Sequence, residues 1–229
     1  MSPGFCHLPF LDGWCLAPEG AAVHVGEQTA VIADVHLGYE WARAAGGDVV
    51  PAHSLAETLA KLEALLDRAA LARLVVAGDL VESPGPCRRI ARDVQALVTW
   101  LARRGVELLR LRGDHDPRVP PLPLTCTVAG WTIGHGHRPL RAGPTLFGHY
   151  HPVLRAEGLT APCFLVGPAM IALPAFSPNA AGLSVTSAAL PAALRAEGLH
   201  CVAGVGAELL DFGPLAALAA TRRGGGVRP

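Results

Sequence analysis

The chain of 229 residues is long enough for one large domain or two small ones, and half of its residues are apolar, which is ample for a packed core. Nineteen basic residues balance nineteen acidic ones. This balance excludes a strongly basic, histone-like nucleic-acid binder and an acidic tail protein. Ten histidines are many for a chain with only 17% charged residues, and they indicate sites that bind or titrate.

Cysteine usage and hydropathy bear on the compartment. The six cysteines include no C-x-x-C pair, so we expect buried free thiols in a reducing compartment rather than a set of disulfides. No basic segment followed by an apolar run opens the sequence, as it would in a secretory signal. A membrane span would need about eighteen consecutive apolar residues, and every apolar run here is interrupted sooner. We therefore expect a cytoplasmic protein.

Short apolar runs alternate with helical patterns in the first half of the chain, which is typical of an α/β fold. Strands are predicted at Ala30–Ala33, Leu74–Ala77 and Val106–Leu111. One helix is predicted to begin at Ser54-Leu-Ala-Glu57, which has the pattern of a capping box, and a second to end at Gly105. Both helices carry apolar stripes at helical spacing, so two strand–helix–strand units follow one another.

The second half offers short strands separated by Gly and Pro turns, which predicts a mainly antiparallel or mixed sheet. The predicted strands lie within Thr125–Ile133, Thr145–Phe147, Cys163–Val166 and Met170–Leu173. Two short helices are predicted at Leu190–Ala196 and Pro214–Ala220. Without a linker or a repeat, we expect a single domain over residues 1–221 and a flexible tail at residues 222–229.

Five of the predicted strands are each followed by aspartate or histidine. The motifs are Asp34-Val-His36, Gly78-Asp79, Gly113-Asp114-His115-Asp116, Gly134-His135-Gly-His137 and Gly148-His149-Tyr-His151. In open α/β sheets, ligands bind at the carboxyl edge of the strands. One rim of the protein is therefore expected to collect both carboxylates and imidazoles.

This mixture of ligands suits borderline divalent metals such as Mn, Fe, Zn, Co or Ni. In an extended segment residues i and i+2 point the same way, so Asp34 and His36 could face one ion, and so could His149 and His151. Asp79, a lone carboxylate at a strand end, could bridge two ions. Two ions about 3.5–4 Å apart activate a water and clamp an in-line displacement at phosphorus.

In order and spacing, the five motifs resemble those of the calcineurin-like metallophosphoesterase superfamily, over about half of the chain. The resemblance implies a four-layer α/β/β/α sandwich and a dinuclear phosphoesterase in which a metal-bound hydroxide attacks phosphorus. It further implies that the first metal is held by Asp34, His36 and His151, that Asp79 bridges, and that the second is held by Asp114, His135 and His149. His115 would contact the phosphate and protonate the leaving oxygen, and Asp116 would orient it.

A narrower resemblance concerns Asp34-Val-His-Leu-Gly38, Gly148-His-Tyr-His-Pro152 and Leu173-Pro-Ala-Phe176. These segments are similar to the ligase-associated DNA damage response phosphoesterases, relatives of the nuclease subunits of double-strand-break repair complexes. The resemblance implies a DNA or RNA phosphodiester as substrate, two metal ions with Mn²⁺ first among the candidates, and a repair setting with a ligase or helicase as partner. His137 and Arg138 are the candidates for contacting the substrate.

One residue departs from the superfamily pattern, because Asp114 stands where asparagine is usual. Three ligand carboxylates then oppose two divalent ions, which should retune metal binding and weaken the hold on an anionic phosphate. Two alternatives stay open: a small-molecule phosphatase or cyclic-nucleotide phosphodiesterase on the same site, which the neutral net charge favours, and a weakly active metal-binding scaffold, which Asp114 favours. The oligomeric state is left open.

Overall fold

The computed structural model describes residues 5–83, 85, 87–116, 120–156, 158–195 and 198–218, so the predicted tail at residues 222–229 lies outside the described part. The described chain forms a mixed α/β structure with two β-sheets. Its α-helices are α1 (Tyr39–Ala45), α2 (Ser54–Arg68) and α3 (Arg88–Ala102). No helix within the described ranges combines the length and the apolar character that crossing a membrane requires.

The first sheet has five strands in chain order. They are β1 (Trp14–Ala17), β2 (Ala21–His24), β3 (Thr29–Ile32), β4 (Arg73–Ala77) and β5 (Glu107–Leu111). β1, β2 and β3 pair antiparallel, whereas β3, β4 and β5 pair parallel. The three strands that the sequence predicted in this half are thus confirmed to within a residue or two at each end, and their carboxyl ends share one edge.

Alternate residues of the parallel strands face different layers. On β3, Ala30 and Ile32 pack toward the helices, while Val31 and the following Ala33 pack toward the second sheet. β4 behaves in the same way. Because both faces of the sheet are covered, these strands are apolar throughout, as is expected of parallel strands.

The helices confirm the predicted stripes, but α2 does not begin as expected. His53 occupies the N-cap without a side-chain cap, and Ser54 is already helical. Ser54 Oγ instead accepts a hydrogen bond from the Gly38 backbone N–H (3.1 Å) and donates one to Glu40 (3.0 Å). The prediction of a capping box is therefore wrong, because the Ser54 hydroxyl connects α2 to the start of α1 instead of capping α2. After α3, Gly105 takes a positive φ of 72° and ends the helix as predicted.

The second sheet is mixed, as predicted for the second half. Its strands are β6 (Thr125–Val128), β7 (Trp131–Gly134), β8 (Thr145–Phe147), β9 (Pro152–Ala156), β10 (Leu159–Gly167), β11 (Met170–Ala172), β12 (Leu183–Ser184), β13 (His200–Val205) and β14 (Glu208–Pro214). β7, β8 and β11 run parallel to one another, and β6 pairs antiparallel with β7. The ends of β7 and β8 therefore point to one edge of this sheet.

Side chains from the two sheets share one apolar cluster, in which Val31 and Val75 of the first sheet meet Ile133 and Phe164 of the second. The outer face of the second sheet is covered by loops, by a 3₁₀ turn at Ala192–Arg195 and by one helical turn at residues 215–218. The predicted helix Leu190–Ala196 is thus only a short 3₁₀ turn. The α/β class is confirmed, whereas the four-layer arrangement stays a prediction.

All six cysteines lie in the described part of the chain, and all six are free thiols. Burial raises the pKa of Cys15 and of Cys126 to about 11, so neither is ionised near neutral pH. The expectation of free rather than paired cysteines is confirmed.

Candidate metal centre

The motif residues that follow the strands meet at one rim between the two sheets. Asp34, Asp79 and Asp114 come just beyond the carboxyl ends of β3, β4 and β5. His135 follows β7, and its Nδ1 lies 3.6 Å from Asp34 Oδ1. His149 follows β8, and its backbone N–H donates to Asp34 Oδ2 at 2.9 Å. The two sheets therefore contribute side chains to a common cluster.

Five of the site residues have positive φ angles, between 43° and 70°. They are Asp34, His36, Asp79, His149 and His151. Non-glycine residues rarely adopt this conformation, and it is concentrated at functional sites. The i, i+2 argument for an extended backbone does not apply to such a turn. Each side chain is aimed by its own turn rather than by strand alternation.

The first candidate group contains Asp34, His36 and His151, each of which offers one ligand atom within 4.8 Å of the others. Asp34 is fully buried, and His36 is 5% exposed. His36 Nε2 is buried without a hydrogen-bond partner among the described residues. A buried imidazole nitrogen next to a carboxylate and a second imidazole fits a bound cation, because the ion would supply the missing partner.

The second candidate group contains Asp114, His135 and His137, again within 4.8 Å of one another. His149 lies beside it, with Nδ1 3.2 Å from His135 Nε2 and 3.4 Å from Asp114 Oδ1. His149 and His151 therefore face different groups, so the shared ion that an extended segment would allow does not apply, and the arrangement is compatible with the separate metals that the resemblance implied. The sequence had assigned His137 to the substrate, whereas the geometry also makes it a candidate ligand.

Asp79 lies between the two groups. Its Oδ2 is 3.2 Å from His135 Nε2, and its Oδ1 accepts the backbone N–H of His115 at 2.9 Å. With Asp34 and His135 it forms a third possible ligand set, and with Asp114 and His115 a fourth. The position is compatible with the bridging role that the sequence resemblance implied.

The electrostatics of this cluster favour positive charge. Burial opposes ionisation of Asp79, but the hydrogen bond and charge of His135 bring the pKa of Asp79 down to about 2. Burial likewise disfavours a charged His135, but the neighbouring carboxylates, Asp79 first, raise the pKa of His135 to about 9. Carboxylates that stabilise a buried imidazolium would also stabilise a bound cation, so the residues present fit the metal that the motifs implied.

His115 and Asp116 have different partners from those expected. His115 Nδ1 lies 2.8 Å from the backbone carbonyl of Glu82. The Asp116 carboxylate accepts the backbone N–H groups of Asp79, Leu80 and Gly113 at 2.9–3.0 Å. Asp116 therefore fixes the turn after β4, and the orienting contact of His115 comes from Glu82. The orienting role expected of Asp116 is corrected accordingly.

Glu82 is the site residue that sequence reasoning missed. Its carboxylate lies 2.8 Å from His36 Nδ1, and with His36 and His115 it forms a further possible ligand set. The available signal was its place in the loop three residues after Asp79, at the same rim. The contact with His36 does not have hydrogen-bond geometry, but a carboxylate beside Nδ1 favours presenting Nε2 to a metal.

At two of the motif glycines, a neighbouring carboxylate comes too close for a side chain. A Cβ atom on Gly113 would overlap with the Asp79 carboxylate, and one on Gly148 would overlap with the Asp34 carboxylate. Gly113 and Gly148 therefore leave room for a carboxylate that follows another strand.

The cluster is open to solvent. A cleft of about 300 Å³ is lined by His36, Glu82, His115 and His151, among others. Arg138 is exposed and lines another opening together with His137. A phosphate ester could thus reach both candidate groups.

No family model matches the sequence, and none of the curated proteins compared with it matches either. Among solved structures, the chain is similar to the crystal structure of Pseudomonas putida nuclease MPE. The TM-score is 0.65 at 22% sequence identity, with 86% of this chain and 94% of the neighbour covered. At this identity the likeness shows a common fold.

Proposed function

We propose that this chain is a dinuclear, metal-dependent phosphodiesterase of the calcineurin-like type, built as a four-layer sandwich, and that it hydrolyses nucleic acid. The observation that carries the proposal is the meeting of two His/Asp groups, one around His36 and one around His135, with Asp79 between them. The nuclease among the similar folds supports a nucleic-acid substrate. A repair setting with a ligase or helicase partner belongs to the same proposal.

The two groups have the donor chemistry to hold divalent ions. Asp34, His36 and His151 would hold one ion. Asp114 and His135, with His149 or His137, would hold the other. Imidazole and carboxylate together suit Mn²⁺, with Fe, Zn, Co and Ni as alternatives. When bound, such ions supply Lewis-acid activation of water and phosphate.

His115 is the residue with the geometry of a proton donor. Its Nδ1 faces the Glu82 carbonyl at 2.8 Å, which directs Nε2 away from that contact. Burial lowers the pKa of His115, but the Glu82 carbonyl and the nearby carboxylates outweigh this and raise it overall. A protonated His115 would donate to the leaving oxygen, as a general acid does.

The test uses chelator-stripped protein with added Mn²⁺ and two chromogenic substrates, bis-p-nitrophenyl phosphate and p-nitrophenyl phosphate. Diester turnover is expected to fall by about 10²–10⁴ in His115→Ala. The matched control is His7→Ala, because His7 is exposed and outside every candidate group. Turnover of the monoester alone would favour a small-molecule phosphatase. No turnover of either ester with metal bound would favour the scaffold.

A further inference from the structure

A second cleft, of about 480 Å³, adjoins the group around His135. His137 belongs both to the wall of this cleft and to that group. Tyr150 also lines the cleft, and its ring centroid lies 5.0 Å from that of His149. A molecule in this side cleft would therefore sit directly beside the candidate metal centre.

The side cleft combines apolar walls with positive charge. Leu140, Phe147 and Met170 line it together with the Tyr150 ring. Its volume falls in the range of small-molecule sites, about 300–1,000 Å³. Arg138 and Arg141 also line it, and both are exposed. Neither arginine forms an ion pair with a carboxylate of the described residues.

These features match the two parts of a nucleotide. A base needs an apolar slot with an aromatic ring to stack on, which Tyr150 and the neighbouring side chains offer. A phosphate needs a cationic donor beside that slot, which Arg138 and Arg141 offer. A purely apolar ligand would make no ionic contact with the arginines, and a bare phosphate would make no contact with the apolar walls.

We propose that the side cleft binds the base of the nucleotide next to the phosphate being hydrolysed, with the base against Tyr150 and a flanking phosphate near Arg138 and Arg141. This inference rests on the proposed function, because it takes the substrate to be nucleic acid. It adds that the enzyme holds one nucleotide by its base and does not recognise the sugar–phosphate backbone alone.

The test is equilibrium binding to the Mn²⁺-loaded protein, measured by calorimetry with two ligands. Deoxyadenosine 5′-phosphate carries a base, and 2-deoxyribose 5-phosphate does not. We expect the nucleotide to bind at least about fivefold more tightly to the wild-type protein. In Ala193→Trp, where an indole on the 3₁₀ turn fills the side cleft, the two ligands should bind within about twofold of each other.

The matched control is Ala192→Trp, because Ala192 is exposed on the same 3₁₀ turn but does not line the cleft, and it should keep the preference. A second pair separates stacking from bulk: Tyr150→Phe should keep the preference, and Tyr150→Leu should reduce it. Equal binding of the two ligands to the wild type would overturn the inference, as would an undiminished preference in Ala193→Trp. A preference for the nucleotide that vanishes in Ala193→Trp, in a protein that hydrolyses no diester, would support the base site and refute the proposed function.

Discussion

Replacing Lys61 by methionine tests how the fold holds Asp34. Lys61 is the single lysine of the chain, and it reaches from α2 to Phe176. Its Nζ donates to the Phe176 carbonyl at 2.6 Å and lies 4.1 Å from the ring centroid. The Phe176 N–H in turn donates to the Ala33 carbonyl (2.9 Å), and the Ser177 N–H donates to the Asp34 carbonyl (3.0 Å). Lys61 thus supports the segment that pairs with the first candidate ligand.

The magnitude follows from the pKa of Lys61. Burial lowers this pKa from 10.5 to about 8, against the opposing charges of Glu19 and Glu57. The unfolded chain therefore binds more protons between pH 8 and pH 10.5, and the free energy of unfolding should rise with pH across that window. At about 1.36 kcal/mol per pKa unit, the whole shift is worth roughly 3 kcal/mol, most of it gained between pH 7 and pH 10.

The assay is urea unfolding of the wild type, Lys61→Met and Lys61→Arg at several pH values from 7 to 10. The free energy of unfolding of the wild type minus that of Lys61→Met should rise by about 2–3 kcal/mol over this range. The raised thiol pKa values of Cys15 and Cys126 act on all three proteins and cancel in the difference. Lys61→Arg keeps a charge that does not titrate, so its difference from Lys61→Met should stay flat with pH. A wild-type difference that is also flat would refute the reasoning.

Three further substitutions probe the site. Asp114→Asn removes one carboxylate facing His135. It should weaken Mn²⁺ binding at least about tenfold, measured by calorimetry, and lower KM for an anionic diester, measured by steady-state kinetics. No change in either quantity would contradict the idea of a retuned site. Glu82→Gln removes the carboxylate charge that faces His36 Nδ1 and should weaken metal binding by about 10–100-fold in the same titration. An unchanged affinity would show that this contact is incidental. Asp116→Ala removes the acceptor of four buried amides, those of Asp79, Leu80, Val81 and Gly113, at a cost of at least about 3 kcal/mol, and should lower Tm by about 6–12 °C in scanning calorimetry. A Tm within a degree or two of the wild type would contradict the role of Asp116 in the turn.

The parallel strands explain why the sequence was sufficient to predict which residues of the candidate site lie together. Asp34, Asp79 and Asp114 follow three consecutive strands of one sheet, and parallel strands bring their carboxyl ends to one edge whatever the details of the side chains. The apolar runs that mark these strands are unbroken because both faces are covered, which makes them easy to find. The hairpin of β1 and β2 was missed because its strands have only four residues each, although Pro18-Glu-Gly20 between them is a turn signal.

Backbone conformation explains what the sequence did not provide. The spacing of His149 and His151 would allow a shared ion only if the segment were extended, and both residues have positive φ. The sequence did not indicate a positive φ, because these positions hold histidine rather than glycine or asparagine, and histidine adopts this conformation only occasionally. Glu82 was missed for a related reason, because its contact with His36 depends on how the loop after β4 folds back on the turn after β3.

The turns with positive φ are stable because hydrogen bonds to the surrounding backbone hold them in this conformation. Each positive φ at a non-glycine residue costs on the order of 1–3 kcal/mol, so it needs compensation from neighbouring contacts. At Asp34, the backbone N–H donates to the Gly78 carbonyl and the backbone carbonyl accepts from Ser177. At Asp79, the backbone N–H is held by Asp116, and the backbone carbonyl accepts from the turn that follows Asp34. The two turns are thus hydrogen-bonded to each other across adjacent strands. Main-chain hydrogen bonds therefore fix the backbone that carries the candidate ligands, as a preorganised metal site would require.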